Sequence, residues 1–182
     1  MVNKKKTLTQ LQAELRKLQV ALAEVQGREG KGGAIEVRVK KNQGRFERIK
    51  KKGAEDKAVG KYYLEIAVTA LQREVFVPIS IASGKKVAGV MYLIEGTGEG
   101  SLATASVKAR GEGVSHVTVG TLVYAKIPKG VTALFQLQAT IRGRFGKHYR
   151  LVIVRLNYKF NVSDARYQQY LKEIPTEKVL FS

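Results

Sequence analysis

The chain of 182 residues has no cysteine and no tryptophan, and only two histidines and three prolines. Without thiols it can form no disulfide, no thiolate zinc centre, no iron–sulfur cluster and no cysteine nucleophile. Aspartate is nearly missing as well: of 15 acidic residues only Asp56 and Asp164 are aspartates. Long apolar runs are also missing, the longest being Val87–Ile94, interrupted by Gly89. A membrane-spanning helix needs about 18 apolar residues, so no span is expected. Lys4, Lys5 and Lys6 open the chain, but Thr7, Thr9, Gln10, Gln12 and Glu14 follow where a signal peptide requires an apolar core. The expected location is intracellular, or inside a nucleoprotein assembly.

These shortages weigh against catalysis. His116 falls within a strand-like pattern and His148 opens another, neither with a second ligand at metal-binding spacing. A Ser-His-Asp arrangement would have to recruit Asp56 from a charged loop or Asp164 from a helix start. Glu95, Glu99 and Glu112 stand near glycine-rich turns, where solvated loop carboxylates are the ordinary case. The Gly96-Thr97-Gly98-Glu99-Gly100 run lacks the Gly-Lys-Ser/Thr ending of a Walker loop, and strand-like sequence rather than a helix follows it. No catalytic set, metal site or cofactor is expected, and the chain reads as a non-enzymatic protein.

What is abundant is positive charge. Thirty-three Lys and Arg against 15 Asp and Glu leave a net +18. Self-repulsion of that size opposes compaction, and a polyanion is its natural counterweight. Nucleic acid ranks first, because neutralising rows of phosphates releases condensed counterions. A merely solubilising charge ranks second, and an anionic membrane surface or other polyanion third. With 44% hydrophobic residues the chain can nonetheless build a core.

Residues 1–33 divide into the basic tail, an amphipathic helix and a glycine-rich linker. Leu8, Leu11, Leu15, Leu18, Leu22 and Val25 alternate three and four apart, the spacing of a heptad seam. Such a seam either joins subunits as a short coiled coil or packs on its own domain, so a homo-oligomer is expected if it is intermolecular. Gly27–Gly33 supplies the linker.

Residues 34–60 read as a basic hairpin and a polar connection. Ile35, Val37 and Val39 alternate with polar neighbours, Asn42-Gln43-Gly44 reads as the turn, and Arg45–Lys52 returns, with Gly53–Gly60 as a further connection. Arg38, Lys40, Lys41, Arg45, Arg48, Lys50, Lys51 and Lys52 make eight cations against the single acid Glu47, more than edge protection of a sheet requires. A ribbon so charged suits phosphate contact.

Residues 61–182 read as a β domain. Period-two runs such as Tyr62/Leu64/Ile66/Val68, Val75/Val77/Ile79/Ile81, Ala105/Val107/Ala109, Phe135/Leu137/Ala139/Ile141 and Val152/Val154/Leu156/Tyr158/Phe160 are punctuated at roughly ten-residue intervals. The fold class is mainly β, an antiparallel sandwich or barrel, with a jelly roll among the topologies admitted. A short helix is expected over 164–173, capped by Ser163 and bearing Tyr167, Tyr170, Leu171 and Ile174 on one face. The Asn161-Val162-Ser163 sequon is read as part of that cap.

A second basic cluster lies in the turn of the last long hairpin. There Arg142, Arg144, Lys147 and Arg150 interleave with Phe145 and Tyr149, a pattern that suits phosphate contact with base stacking. Together the features point to a self-associating protein that coats or packages nucleic acid, DNA or RNA, with little sequence preference. The alternative is a structural or adaptor subunit that docks to a larger assembly through the leucine helix. In layout the chain resembles small coat proteins with a basic arm ahead of a β-sandwich, an analogy of architecture without a shared motif.

Overall fold

The computed structural model describes residues 33–51, 54–83, 90–96 and 100–182, and across them the chain is strand and connection with no helix. The tail lysines Lys4, Lys5 and Lys6, the leucine seam and Lys52 lie outside the described residues.

Strands β1 (Ile35–Lys51) and β2 (Ala54–Ala70) form one long antiparallel hairpin. Beside β2 lie β9 (Thr132–Gly143) and then β6 (Ser101–Arg110), giving a four-stranded sheet in the order β1-β2-β9-β6. A second sheet centres on β10 (Lys147–Tyr158). On one side it pairs β5 (Val90–Gly96), which carries the parallel strand β4 (Ile81–Ser83). On the other side the chain's end runs back along β10 in three short pieces, β11 (Gln168–Tyr170), β12 (Ile174–Pro175) and β13 (Val179–Phe181). The third sheet is β3 (Val75–Pro78), β8 (Leu122–Ile127) and β7 (Ser115–Val119), in the order β3-β8-β7. None of these described sheets closes on itself, so the architecture is open antiparallel β and not a barrel.

The period-two runs place one face of each strand inward. Tyr62, Leu64, Ile66 and Val68 of β2 and Phe135, Leu137, Ala139 and Ile141 of β9 meet Leu151, Ile153 and Leu156 of β10 and Val75, Val77, Ala125 and Ile127 of the third sheet in a single core. In β10 a bulge between Ile153 and Arg155 shifts the phase, so Leu151, Ile153, Leu156 and Tyr158 point inward where an unbroken alternation puts Val152 and Val154. Residues 34–182 form one compact unit that includes the basic hairpin.

Three expectations need correction. Asn42-Gln43-Gly44 is not a turn: β1 passes straight through it, pairing Asn42 with Leu64 and Gly44 with Tyr62. The turn-like residues serve a close approach of chains instead. The Asn42 amide donates to the Pro175 carbonyl at 3.0 Å and accepts from the Glu177 N–H at 2.8 Å. A Cβ on Gly44 would stand 2.5 Å from Val179 Cγ2. Secondly, residues 54–60 belong to β2 and are not a polar connection.

The third correction is the C-terminal helix over 164–173, which does not form. The Lys159 side chain, 7% exposed, directs its ammonium at the carbonyls of Val162 and Asp164 and lies 4.5 Å from the Tyr167 ring centroid. Those carbonyls would have to accept the first helical N–H groups, so the buried cation takes the acceptors a helix needs. Ser163 donates to Asn161 Oδ1 through its N–H, making an Asx turn and not a helix cap. Gln168–Tyr170 then pairs with β10. Among the described residues no helix is long and apolar enough to cross a membrane.

Candidate nucleic-acid interface

In an antiparallel pair, residues opposite each other project to the same face, so register converts separate sequence positions into rows. One row on the outer face of the four-stranded sheet runs Lys41, Glu65, Gln136, Lys108. The next is Gln43, Tyr63, Gln138, Ser106, and the next Arg45, Lys61, Thr140, Thr104. Arg38 and Arg110 stand in a row on one flank and Glu47 and Arg142 in a row on the other. Seven cations (Arg38, Lys41, Arg45, Lys61, Lys108, Arg110, Arg142) thus share the face with three carboxylates (Glu36, Glu47, Glu65), a local net of +4. Bulges at Val39/Lys41 in β1 and Leu102/Thr104 in β6 lie at opposite ends of the two outer strands. Bulges bend and twist the strands that carry them, and a concavity of about 910 Å³ opens over the middle rows.

Within the face the carboxylates hold neighbours in place. Glu47 bridges Arg45 at 3.0 Å and Lys61 at 2.7 Å, and Lys61 keeps its carboxyl below the ordinary value. Water screens such exposed pairs, so they orient side chains more than they stabilise the fold. Glu65 accepts from Gln136 Nε2 at 2.7 Å and from the Tyr63 hydroxyl at 3.0 Å. Those two bonds, Gln136's first, hold the Glu65 carboxyl below its ordinary value. Partial desolvation, then the bond to Glu65, pushes the Tyr63 hydroxyl up.

A depressed folded pKa contributes stability above the ordinary value, and that contribution disappears as pH falls through the folded value. The wild-type melting temperature should therefore drop more steeply between about pH 5 and pH 3 than that of Glu65→Gln. Parallel curves in a thermal melt series would show that these bonds do not favour the carboxylate.

At one end of the sheet the two basic clusters of the sequence come together. The row Arg48, Ala58, Gly143 is one residue out of phase with the outer rows and so projects to the opposite face, where it brings β1 beside the β9–β10 turn. The Arg48 guanidinium lies 5.1 Å from the Phe145 ring centroid, and Phe46 meets Phe145 edge-on at 6.1 Å. Phe145 is 41% exposed and keeps surface for a ligand. Arg144 and Lys147 are exposed on the turn, Arg150 is half-buried, and Lys40 is the extra residue of the β1 bulge. Lys50 and Lys51 are at the end of β1, their side chains outside the described residues.

Tyr149, expected to stack on a base, is a core residue. Its ring is fully buried against Phe181 at 4.6 Å, and its hydroxyl accepts from the Arg144 N–H at 3.0 Å. It has no face to offer a base.

Protein-family models, curated proteins and solved structures give no match to this chain. The site therefore rests on its own geometry. Lys61, Tyr63, Lys108, Arg110 and Gln138 were not singled out by the sequence, because each is an isolated polar residue in an alternating strand, and Gln43 was read only as part of a turn. The polar phase of β2, β6 and β9 was the signal for the five, and register brings all six together. His116, exposed on β7, lies with Nε2 3.1 Å from the Ala109 carbonyl oxygen. No group of three metal-ligating side chains occurs among the described residues.

Proposed function

We propose that this is a non-enzymatic nucleic-acid-binding protein that coats or packages its ligand through phosphate contacts, several copies acting together. The observation that carries the reading is the convergence of cations from β1, β2, β6 and β9 on one face of the four-stranded sheet. A row of lysine and arginine on a concave surface focuses a positive field on a linear polyanion. The side chains offered are of the kind that bind phosphate without reading bases. The basic tail at Lys4, Lys5 and Lys6 adds reach, and the leucine seam of residues 8–25 supplies the self-association, making the β unit a coat-like building block.

The test is a salt series with single- and double-stranded DNA and RNA, with mass measured by light scattering for free and bound protein. Phosphate-driven binding should weaken as a straight line in log–log form, losing about 10³–10⁵ in affinity between 50 and 200 mM salt if six to ten phosphates are contacted. Failure to retain any of the four ligands at low salt would overturn the reading. A salt-insensitive mass that is the same with and without ligand would favour an adaptor that docks through its leucine seam.

A further inference from the structure

The rows of the outer face differ in chemistry, and the difference specifies the form of the ligand. The row Gln43, Tyr63, Gln138, Ser106 carries no charge, while the rows on either side carry Lys41 and Lys108, and Arg45 and Lys61. Neighbouring rows are about 6.6 Å apart, two residues along a strand. An uncharged lane holding one aromatic ring and two carboxamides, flanked by cations, is what an unpaired base between backbone phosphates would meet. We infer that this lane is a single-strand site, in which one base stacks on Tyr63 while Lys41, Arg45 and Lys61 hold the flanking phosphates. The inference rests on the nucleic-acid reading above and names the form that is bound.

Several features favour a single strand over a duplex. A duplex keeps its base faces stacked inside, whereas an unpaired strand can lay a base on an aromatic ring. The Tyr63 ring is half-buried and tied through its hydroxyl to Glu65, so little side-chain freedom is lost on stacking. The Lys41 ammonium lies 5.4 Å from the same ring centroid, and its exposed side chain can swing to a phosphate when a base takes its place. The concavity of about 910 Å³ is lined by Gln43, Gln138 and Thr140 around this ring, with one carboxylate, Glu177, that accepts from the Gly44 N–H at 3.0 Å, and pockets of roughly 300–1,000 Å³ accept compact ligands of nucleotide size. The carboxamides of Gln43 and Gln138 can each donate and accept, so they suit the edge of any base and give little sequence preference.

The experiment measures fluorescence anisotropy of labelled oligothymidylate, oligouridylate and a DNA duplex of equal length with the full chain. Tyr63→Ala should weaken single-strand binding about 5- to 150-fold, the usual worth of one stacked base. It should leave duplex binding and the salt slope unchanged. Tyr63→Phe keeps the ring but loses the Glu65 bond that orders it, and should retain most of the wild-type affinity, well above Tyr63→Ala. If Tyr63→Ala fails to fold, Tyr63→Leu, apolar but without a π face, takes its place against Tyr63→Phe. Single-strand binding unaffected by loss of the ring, or an equal loss for duplex and single strand, would overturn the stacking lane while leaving phosphate binding intact. A wild-type chain that binds none of the three probes at low salt would instead remove the broader reading.

Discussion

Phe181→Ala should destabilise the protein by about 3–5 kcal/mol, the usual cost of emptying a fully buried aromatic site. That is a large part of the 5–15 kcal/mol that holds a typical domain together. The penultimate residue of the chain would look expendable by position, yet its ring has no exposed surface. It packs 4.6 Å from Tyr149 and 5.5 Å from Phe46. Two glycines make room for it: a Cβ on Gly60 would stand 2.6 Å from Phe181 Cζ, and one on Gly143 would stand 2.8 Å from Phe181 Cε2. The ring therefore lies on the bare backbone of β2 and β9, while its main chain pairs with Lys147 of β10.

Removing the ring opens a cavity that glycine neighbours cannot fill, and it takes the support from Phe46, against which Phe145 of the basic end rests. Urea unfolding reads the effect directly, and Phe181→Leu should recover part of it by refilling volume. A shift below about 1 kcal/mol would show that the chain's end lies outside the cooperative core.

The second large effect concerns charge. Arg45→Gln with Lys61→Gln removes two of the seven cations of the outer face and leaves Glu47 without either of its ion-pair partners. If each cation neutralises one phosphate, the salt slope should fall by about 1.4 for single strands or 1.8 for duplex. At about 0.15 M salt that corresponds to a roughly ten- to thirtyfold weaker affinity, before repulsion from the released Glu47 is added. Glu47→Gln should do the reverse, freeing both cations and tightening binding. Opposite signs for the two variants distinguish an electrostatic face from a change in folding, because both variants disrupt the same surface ion pairs. Affinities that move together, or not at all, would place the phosphates elsewhere on the protein.

Much of this was legible in the chain and some was misleading. Alternation at Tyr62–Val68 and Phe135–Ile141 correctly announced two-faced strands, because a half-buried strand must repeat every two residues. The β9–β10 turn was likewise marked by Arg142–Gly146 between two such runs. Asn42-Gln43-Gly44 misled because residues that favour turns also favour close packing and side chain-to-backbone bonds. Here Pro175, Glu177 and Val179, more than 130 residues away, use those properties. The segment after Ser163 misled because its helical spacing was real, yet Lys159 claims the Val162 and Asp164 carbonyls. Tyr149 had the sequence context of a stacking residue and the burial of a core residue, a distinction set by what covers it.

By itself, then, the sequence determined a thiol-free, strongly cationic chain whose period-two strands must carry one apolar and one polar face. Those follow from composition and from the pleat, which act within a single strand. Only the tertiary structure decided which polar faces adjoin. The lane of Gln43, Tyr63, Gln138 and Ser106 draws on four strands spread over about a hundred residues. Its existence depends on register, and register is set by hydrogen bonds and core packing between strands that no local pattern encodes.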